Sequence, residues 1–274
     1  MVEVDRPDRK ARRTNGKSDP VDAYAAATAV LSGRATGTPK SRDGIVEAIR
    51  VLRVTRKSGV KARTQTINQI RTLIVTAPSE VRDKLRGLSA RELIDTLARS
   101  RPTGDLDAPT CAVRTALRRL ARRYQVLDEE IKDADKEIGP LVTQAAPWLV
   151  ALPGVGPETA GQLLTTAGDN PDRLRSEAAF AHLCGAAPVP ASSGRTNRHR
   201  LNRSGDRAAN NALHTIVLVR MKCDQRTQEY VARRTAEGMV KKDIMRCLKR
   251  FVAREIYRHL PHVIHTSRTL PQTT

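Results

Sequence analysis

The sequence predicts a mainly α protein. Hydrophobic residues make up 39% of the chain but aromatics only 3%, so the apolar content is Ala, Val, Leu and Ile, not the aromatics of a β-sandwich. Long stretches repeat these residues at three- and four-residue spacing, the period of a helix face. Only Val2-Glu3-Val4-Asp5 reads as a strand. The 274 residues suffice for one or two domains with buried cores. No apolar run reaches the ~18 residues of a membrane span. The opening MVEVDRPDRKARR has no apolar segment of a secretory signal. Cys111, Cys184, Cys223 and Cys247 are far apart and form no CxxC pair. That argues against a zinc knuckle or disulfide scaffold and fits a reducing cytosol.

The elements follow in order. Residues 6–18 are polar and basic and read as a loop. From Asp19 to Leu31 the chain is Ala-rich and helical, ending at Gly33. A linker, RATGTPKSRDG, follows. Residues 44–76 place Ile45, Ile49, Leu52, Val60, Ile67, Ile70 and Ile74 on one helical face, with a break expected near Ser58-Gly59. Short helices are expected over 79–87 and 89–99, punctuated by Pro78 and Pro102. Leu117, Leu120, Tyr124, Leu127, Ile131, Ala134 and Ile138 then keep a strict 3-4 spacing, an a/d seam expected to stop at Gly139-Pro140. Pairing with the 44–76 helix, pairing with a second copy, or packing on a globular core would each bury it. Residues 149–260 read as a helical domain with one irregular basic loop, 186–204, before a frayed tail. The expected segments are 1–40, 41–145, 146–260 and 261–274.

The charge points to a polyanion. Lys and Arg number 49 against 29 Asp and Glu, a formal net charge of +20. Residues 48–79 hold Arg50, Arg53, Arg56, Lys57, Lys61, Arg63 and Arg71 with no acid, and residues 191–260 hold 17 basic side chains against six acidic ones. Such clusters gain affinity for nucleic acid by releasing its condensed counterions.

Three motifs carry possible chemistry. In GKSDPVDA, Asp19 and Asp22 sit three apart at a helix start. They can share a divalent cation, or Asp19 can simply cap the helix with Pro20 at N1 and Asp22 at N3. In LPGVGPETAGQLL, Gly154, Val155 and Gly156 form the turn of a helix-hairpin-helix. Its backbone N–H groups suit a phosphate, or the element is a plain packing corner. In PVPASSGRTNRHRLNRSGDRAANNAL, Ser192 and Ser193 precede Gly194 and are followed by Arg195, Arg198, His199, Arg200, Arg203 and Arg207. Guanidinium groups around a hydroxyl would stabilise a phosphoryl transition state; alternatively this is a solvated basic loop. His259, His262 and His265 are evenly spaced, but Pro261 interrupts them, and they read as tail residues.

Taken in order, the three motifs resemble the insertion-sequence one-ten family of transposases. Its members join a RuvC-like DEDD domain to a helical C-terminal domain with a catalytic serine. The resemblance covers roughly residues 2–260. It implies a RuvC-like remnant over 1–40, long coiled-coil helices over 41–145, and a serine transposase domain with a helix-hairpin-helix over 146–260. Asp19 and Asp22 match the family's third and fourth metal-binding acids, so magnesium is the implied cofactor. Ser193 matches the nucleophile, with Ser192 beside it. Gly154, Val155, Gly156, Arg195, Arg198, Arg200 and Arg203 would contact DNA. The family's first aspartate and its glutamate have no counterpart, since Glu3 and Asp5 do not match them, so the chain reads as N-terminally shortened. The implied protein is bacterial, cytoplasmic and nucleoid-associated, with DNA, a structured guide RNA and a second copy joined through the coiled coil as partners. Nucleic-acid binding without catalysis is the alternative. No phosphate-loop motif GxxxxGK[ST] is present, as expected for strand exchange that conserves phosphodiester energy.

Overall fold

The computed structural model describes residues 2–4, 13–14, 16, 18–170, 174–191, 199–202 and 205–260. The mainly α expectation holds: among these residues the only named strands are a two-residue pair. The chain divides into two units, residues 1–49 with 141–274, and residues 50–140.

In the first unit, helix α1 (Asp19–Leu31) starts at Ser18, whose side chain accepts from the Val21 N–H, and ends before Gly33 at φ +67°. This corrects the capping expected from sequence. Ser18 is the cap, which places Asp19 at N1, Pro20 at N2 and Asp22 one position beyond N3. The strand expected over 2–5 shrinks to a single bridge, in which the Glu3 N–H donates to the Gly37 carbonyl at 2.8 Å. Asp5 lies outside the described residues. The linker after α1 is tied down. Lys40 donates to the Thr165 carbonyl, Asn170 Nδ2 donates to the Pro39 carbonyl at 2.8 Å, and Asp169 Oδ1 accepts from the Val46 N–H at 3.1 Å. Asp169 thus serves a helix-start donor that the local sequence leaves unsatisfied.

The 50–140 unit is built on α2 (Ile45–Val75), α3 (Ser79–Leu85), α4 (Ala90–Arg99) and α5 (Pro109–Ala145). Arg56 Nε lies 2.5 Å from Asp135, Gly59 faces Ile131, and Arg63 pairs with Asp128. Each advance along α2 matches a retreat along α5, so the two helices run antiparallel. Leu117, Ile131 and Ile138 of the seam are buried, and Leu120, Tyr124, Leu127 and Ala134 half-buried. Ile70, Val81, Leu93, Ile94, Leu97 and Leu117 form the core where α3 and α4 join the pair.

Two expectations fail here. No break occurs at Ser58-Gly59: α2 is continuous, and a Cβ on Gly59 would stand 3.2 Å from Ile131 Cγ1. The glycine allows close approach of the helices. Nor does α5 stop at Gly139-Pro140; it continues to Ala145. An internal proline costs roughly 3 kcal/mol. Ile138 and Val142, on either side of it, are 2% and 0% exposed, and their burial offsets that cost. The acid-free face is also less available than its composition suggests. Arg53 is 4% exposed, and Arg56 and Arg63 are held by aspartates of α5.

The rest of the first unit contains α6 (Pro147–Val150), α7 (Pro157–Ala167), α8 (Glu177–Leu183), β1 (Val189–Pro190), β2 (His199–Arg200), α9 (Arg207–Cys223), α10 (Gln225–Ala236) and α11 (Lys241–Arg258). Helix α9 packs on α7, α10 and α11, and α11 also packs on α8. Leu163, Phe180, Leu213, Ile216, Ile244 and Ile256 are fully buried. Ser176, Asp206 and Asp224 cap α8, α9 and α10 with their side chains, each contributing about 1 kcal/mol. The loop expected over 186–204 is not wholly irregular. Its flanks pair as an antiparallel ladder, Val189 opposite Arg200 and Pro190 opposite His199.

Candidate functional site

The acidic pair lies at the start of α1. Asp19 is exposed and Asp22 half-buried, and α1 has no buried residue. Among the described residues no group of three or more His, Cys, Asp or Glu side chains converges. The described donors therefore do not fit a complete divalent-cation site.

The glycine turn lies between α6 and α7. Gly154 adopts φ +73°, which favours glycine, and an added Cβ would meet Arg220 Cγ and the Ile216 carbonyl, both at 3.2 Å. The Val155 side chain is 6% exposed, and its N–H donates to the Leu152 carbonyl at 3.1 Å. The Gly156 N–H donates to Thr159 Oγ1 at 3.1 Å. Two of the three N–H groups expected to meet phosphate thus already hold the turn together. Arg220 clamps it from outside, donating from Nε to the Pro153 carbonyl at 2.7 Å and from a terminal nitrogen to Glu255 at 2.6 Å. The sequence reading missed Arg220, because its partners lie 67 and 35 residues away.

Ser192, Ser193, Gly194, Arg195, Arg198 and Arg203 lie outside the described residues. Arg200, exposed on β2, is the one candidate arginine of this segment that is described. The stem on which the segment stands is well defined. Gly205 lies against Gly185, and a Cβ on Gly205 would sit 2.2 Å from the Gly185 nitrogen. Asn202 is 8% exposed and donates to the His182 carbonyl at 3.4 Å. Asp206 accepts from the Ala208 N–H at 2.7 Å and from the Thr166 hydroxyl at 2.9 Å. Asn210 Nδ2 donates to the Cys184 carbonyl at 2.9 Å and the Gly185 carbonyl at 3.2 Å, while its Oδ1 accepts from Lys249 at 2.9 Å. The Gly-Asp-Arg-Ala-Ala-Asn run thus welds both ends of the serine segment to α7, α8 and α11.

Two titratable groups border this stem. Burial, with the nearby Asp206 charge, pushes the Cys184 thiol far above its ordinary value, so it is no thiolate nucleophile. Burial, reinforced by the Arg246 charge, holds the Lys249 ammonium below the usual lysine range.

Comparison with known proteins bears on both ends of the chain. A model described as the IS116/IS110/IS902 transposase family matches residues 146–232, and a DEDD-type transposase model of the IS110 group matches residues 2–77. Together they span more than half of the chain. The uncharacterized 42 kDa protein of insertion element IS900 from Mycobacterium paratuberculosis is 30% identical over 127 residues, 45% of this chain and 32% of that protein. The uncharacterized 43.6 kDa protein of insertion element IS110 from Streptomyces coelicolor is 32% identical over 138 residues, 50% of this chain and 32% of that protein. The matched segment therefore covers about a third of each relative's length.

Proposed function

Because this chain belongs to the IS116/IS110/IS902 family of transposases, we propose that it acts on DNA as an insertion-sequence transposase with Ser193 as its nucleophile. In this reading the Ser193 Oγ attacks a phosphodiester. The Oγ–P bond forms, the P–O bond to the leaving strand breaks, the serine proton passes to solvent, and the leaving oxygen takes up a proton as a free hydroxyl. The covalent phosphoserine holds the energy of the broken bond until a strand hydroxyl attacks in reverse. Arg195, Arg198, Arg200 and Arg203 stabilise the charge on the phosphoryl oxygens.

The observation that carries this reading is the stem. Gly205 against Gly185, Asp206 on α9 and Asn210 bridging to α8 anchor the ends of a segment that holds a Ser-Ser-Gly and its arginines. A merely solvated loop has no need of such an anchored base, whereas a nucleophile must be held to within a fraction of an ångström. The 146–232 family match spans the segment and its stem alike. The buried Val155 and its committed N–H favour Gly154, Val155 and Gly156 as a turn that braces α9, with any phosphate contact falling to the start of α7.

The family's DEDD-type model suggests a divalent cation, with magnesium the one proposed for Asp19 and Asp22. The described donors do not complete a ligand set for it. A second reading is DNA binding without cleavage. A structured guide RNA and a second copy of the chain are the further partners of the catalytic reading. A nicked suicide duplex separates the two readings. Wild type and Ser192→Ala trap covalent DNA on a denaturing gel and Ser193→Ala does not. An adduct that survives in Ser193→Ala and vanishes in Ser192→Ala reassigns the nucleophile, and no adduct with wild type favours binding alone.

A further inference from the structure

A groove of about 910 Å³ opens between α9, α10 and α11, and its lining includes none of the stem residues described above. Val217, Leu248 and Val252, 1%, 7% and 3% exposed, underlie it. Tyr230 and Phe251 line it edge to face, with ring centroids 5.7 Å apart, and Phe251 is 51% exposed. The Arg233 guanidinium stands 5.5 Å over the Tyr230 ring.

The lining holds five arginines (220, 226, 233, 254 and 258) against Asp224, Glu229 and Glu255. The acids are already engaged. Asp224 accepts from the Thr227 N–H at 2.9 Å, Glu255 pairs with Arg220 at 2.6 Å, and Glu229 accepts from Gln225 at 2.9 Å. Glu177 holds Arg254 at 2.6 Å and reaches Arg258 at 3.4 Å. Arg226 and Arg233 are therefore the cations best placed to meet an incoming anion. Arg233 has only Glu237, at 4.0 Å, as its ion-pair neighbour among the described residues.

An open aromatic face beside guanidinium groups suits a ligand that is flat and apolar at one end and anionic at the other. Paired bases in a duplex keep their faces stacked on one another, so only an unpaired base can offer one. An acidic peptide would use the arginines but not the exposed ring of Phe251. We propose that this groove takes an unpaired nucleotide of a DNA strand, its base against Phe251 and Tyr230 and its phosphate at Arg226 and Arg233. The assignment rests on the reading of this chain as a DNA-handling transposase and adds a second, non-catalytic contact to it.

The test uses the full chain and fluorescence anisotropy with two labelled probes, a perfect duplex and the same duplex with one bulged thymidine. Wild type prefers the bulge by about tenfold, the order of one base–aromatic stack. Phe251→Ala abolishes that preference with duplex affinity unchanged within about twofold, and Phe251→Tyr retains it. A photocrosslink from 5-iodouracil at the bulge of wild type lands on the peptide bearing Tyr230 or Phe251, which needs no variant to fold. Equal affinity of wild type for both probes, an undiminished preference in Phe251→Ala, a crosslink mapped elsewhere, or equal competition by polyglutamate overturns the assignment. Ser193→Ala keeps the bulge preference while losing the covalent adduct, so this proposal and the serine reading fail separately.

Discussion

The helices of residues 50–140 and those of residues 146–260 carry similar excesses of arginine, but the arginines do different work. In the first region three of them are held within the fold. Arg53 is buried, and Arg56 and Arg63 set the antiparallel register of α2 and α5 by pairing with Asp135 and Asp128. In the second, Arg220 clamps a turn, Arg254 and Arg258 share Glu177, and Arg226 and Arg233 edge an open groove beside exposed Phe251. A cluster of positive charge in sequence marks a binding surface only where the fold supplies no acids opposite it. The same contrast runs through the glycines. Gly59 lets two helices approach, whereas Gly205 and Gly185 allow two backbones to touch at the base of the serine segment.

The largest effect expected from this contrast is at Gly205. Its Cβ would fall 2.2 Å from the Gly185 nitrogen and 2.4 Å from its Cα, so backbone must move. Gly205→Ala should cost about 3 kcal/mol in urea denaturation and abolish adduct formation. Unchanged stability would show that the stem is not tight. Next is Arg220→Ala, which leaves the Pro153 carbonyl and Glu255 without their partner; a loss of about 2 kcal/mol is expected. A loss no greater than that of an exposed arginine would place the clamp among dispensable contacts.

The register pairs should matter less. Asp128 is held below the usual carboxylate range by Lys132 first and then Arg63. Its folded pKa is depressed, so its contribution is present above the ordinary value near pH ~4 and disappears as pH falls through the folded value. Both Arg63 and Asp128 keep over a quarter of their side-chain surface exposed, so solvent screening keeps the Arg63→Met loss below about 1 kcal/mol. The difference between variant and wild type should shrink as acid is added, and a difference that grows would reverse the assignment. Gly59→Ala should have the smallest effect. Improved helix propensity of about 1 kcal/mol opposes a 3.2 Å contact with Ile131, leaving stability within about 1 kcal/mol of wild type.

Local pattern made α1, α2 and α5 legible, because an amphipathic period needs no knowledge of what covers it. It misread the breaks. Gly59 and Pro140 look like punctuation in a window of a few residues, but Gly59 stands against Ile131 of another helix, and Ile138 and Val142 beside Pro140 are buried. It also placed the α1 cap one residue late, because Ser18 and Asp19 are both good capping residues and only backbone geometry chooses between them. In the candidate site the turn glycines and the Ser-Ser-Gly stood out as composition. What holds them did not. Arg220 meets Pro153 across 67 residues, Lys249 meets Asn210 across 39, and Thr166 meets Asp206 across 40. Over 48–79 the acids that pair with Arg56 and Arg63 lie on another helix, beyond the reach of a local window.

The sharpest trial of the covalent reading is to digest the trapped protein–DNA species and sequence the modified peptide by mass spectrometry. A phosphodeoxyribose remnant on the residue 193 side chain is the predicted result. A remnant on any other residue, with Ser193 unmodified, contradicts it.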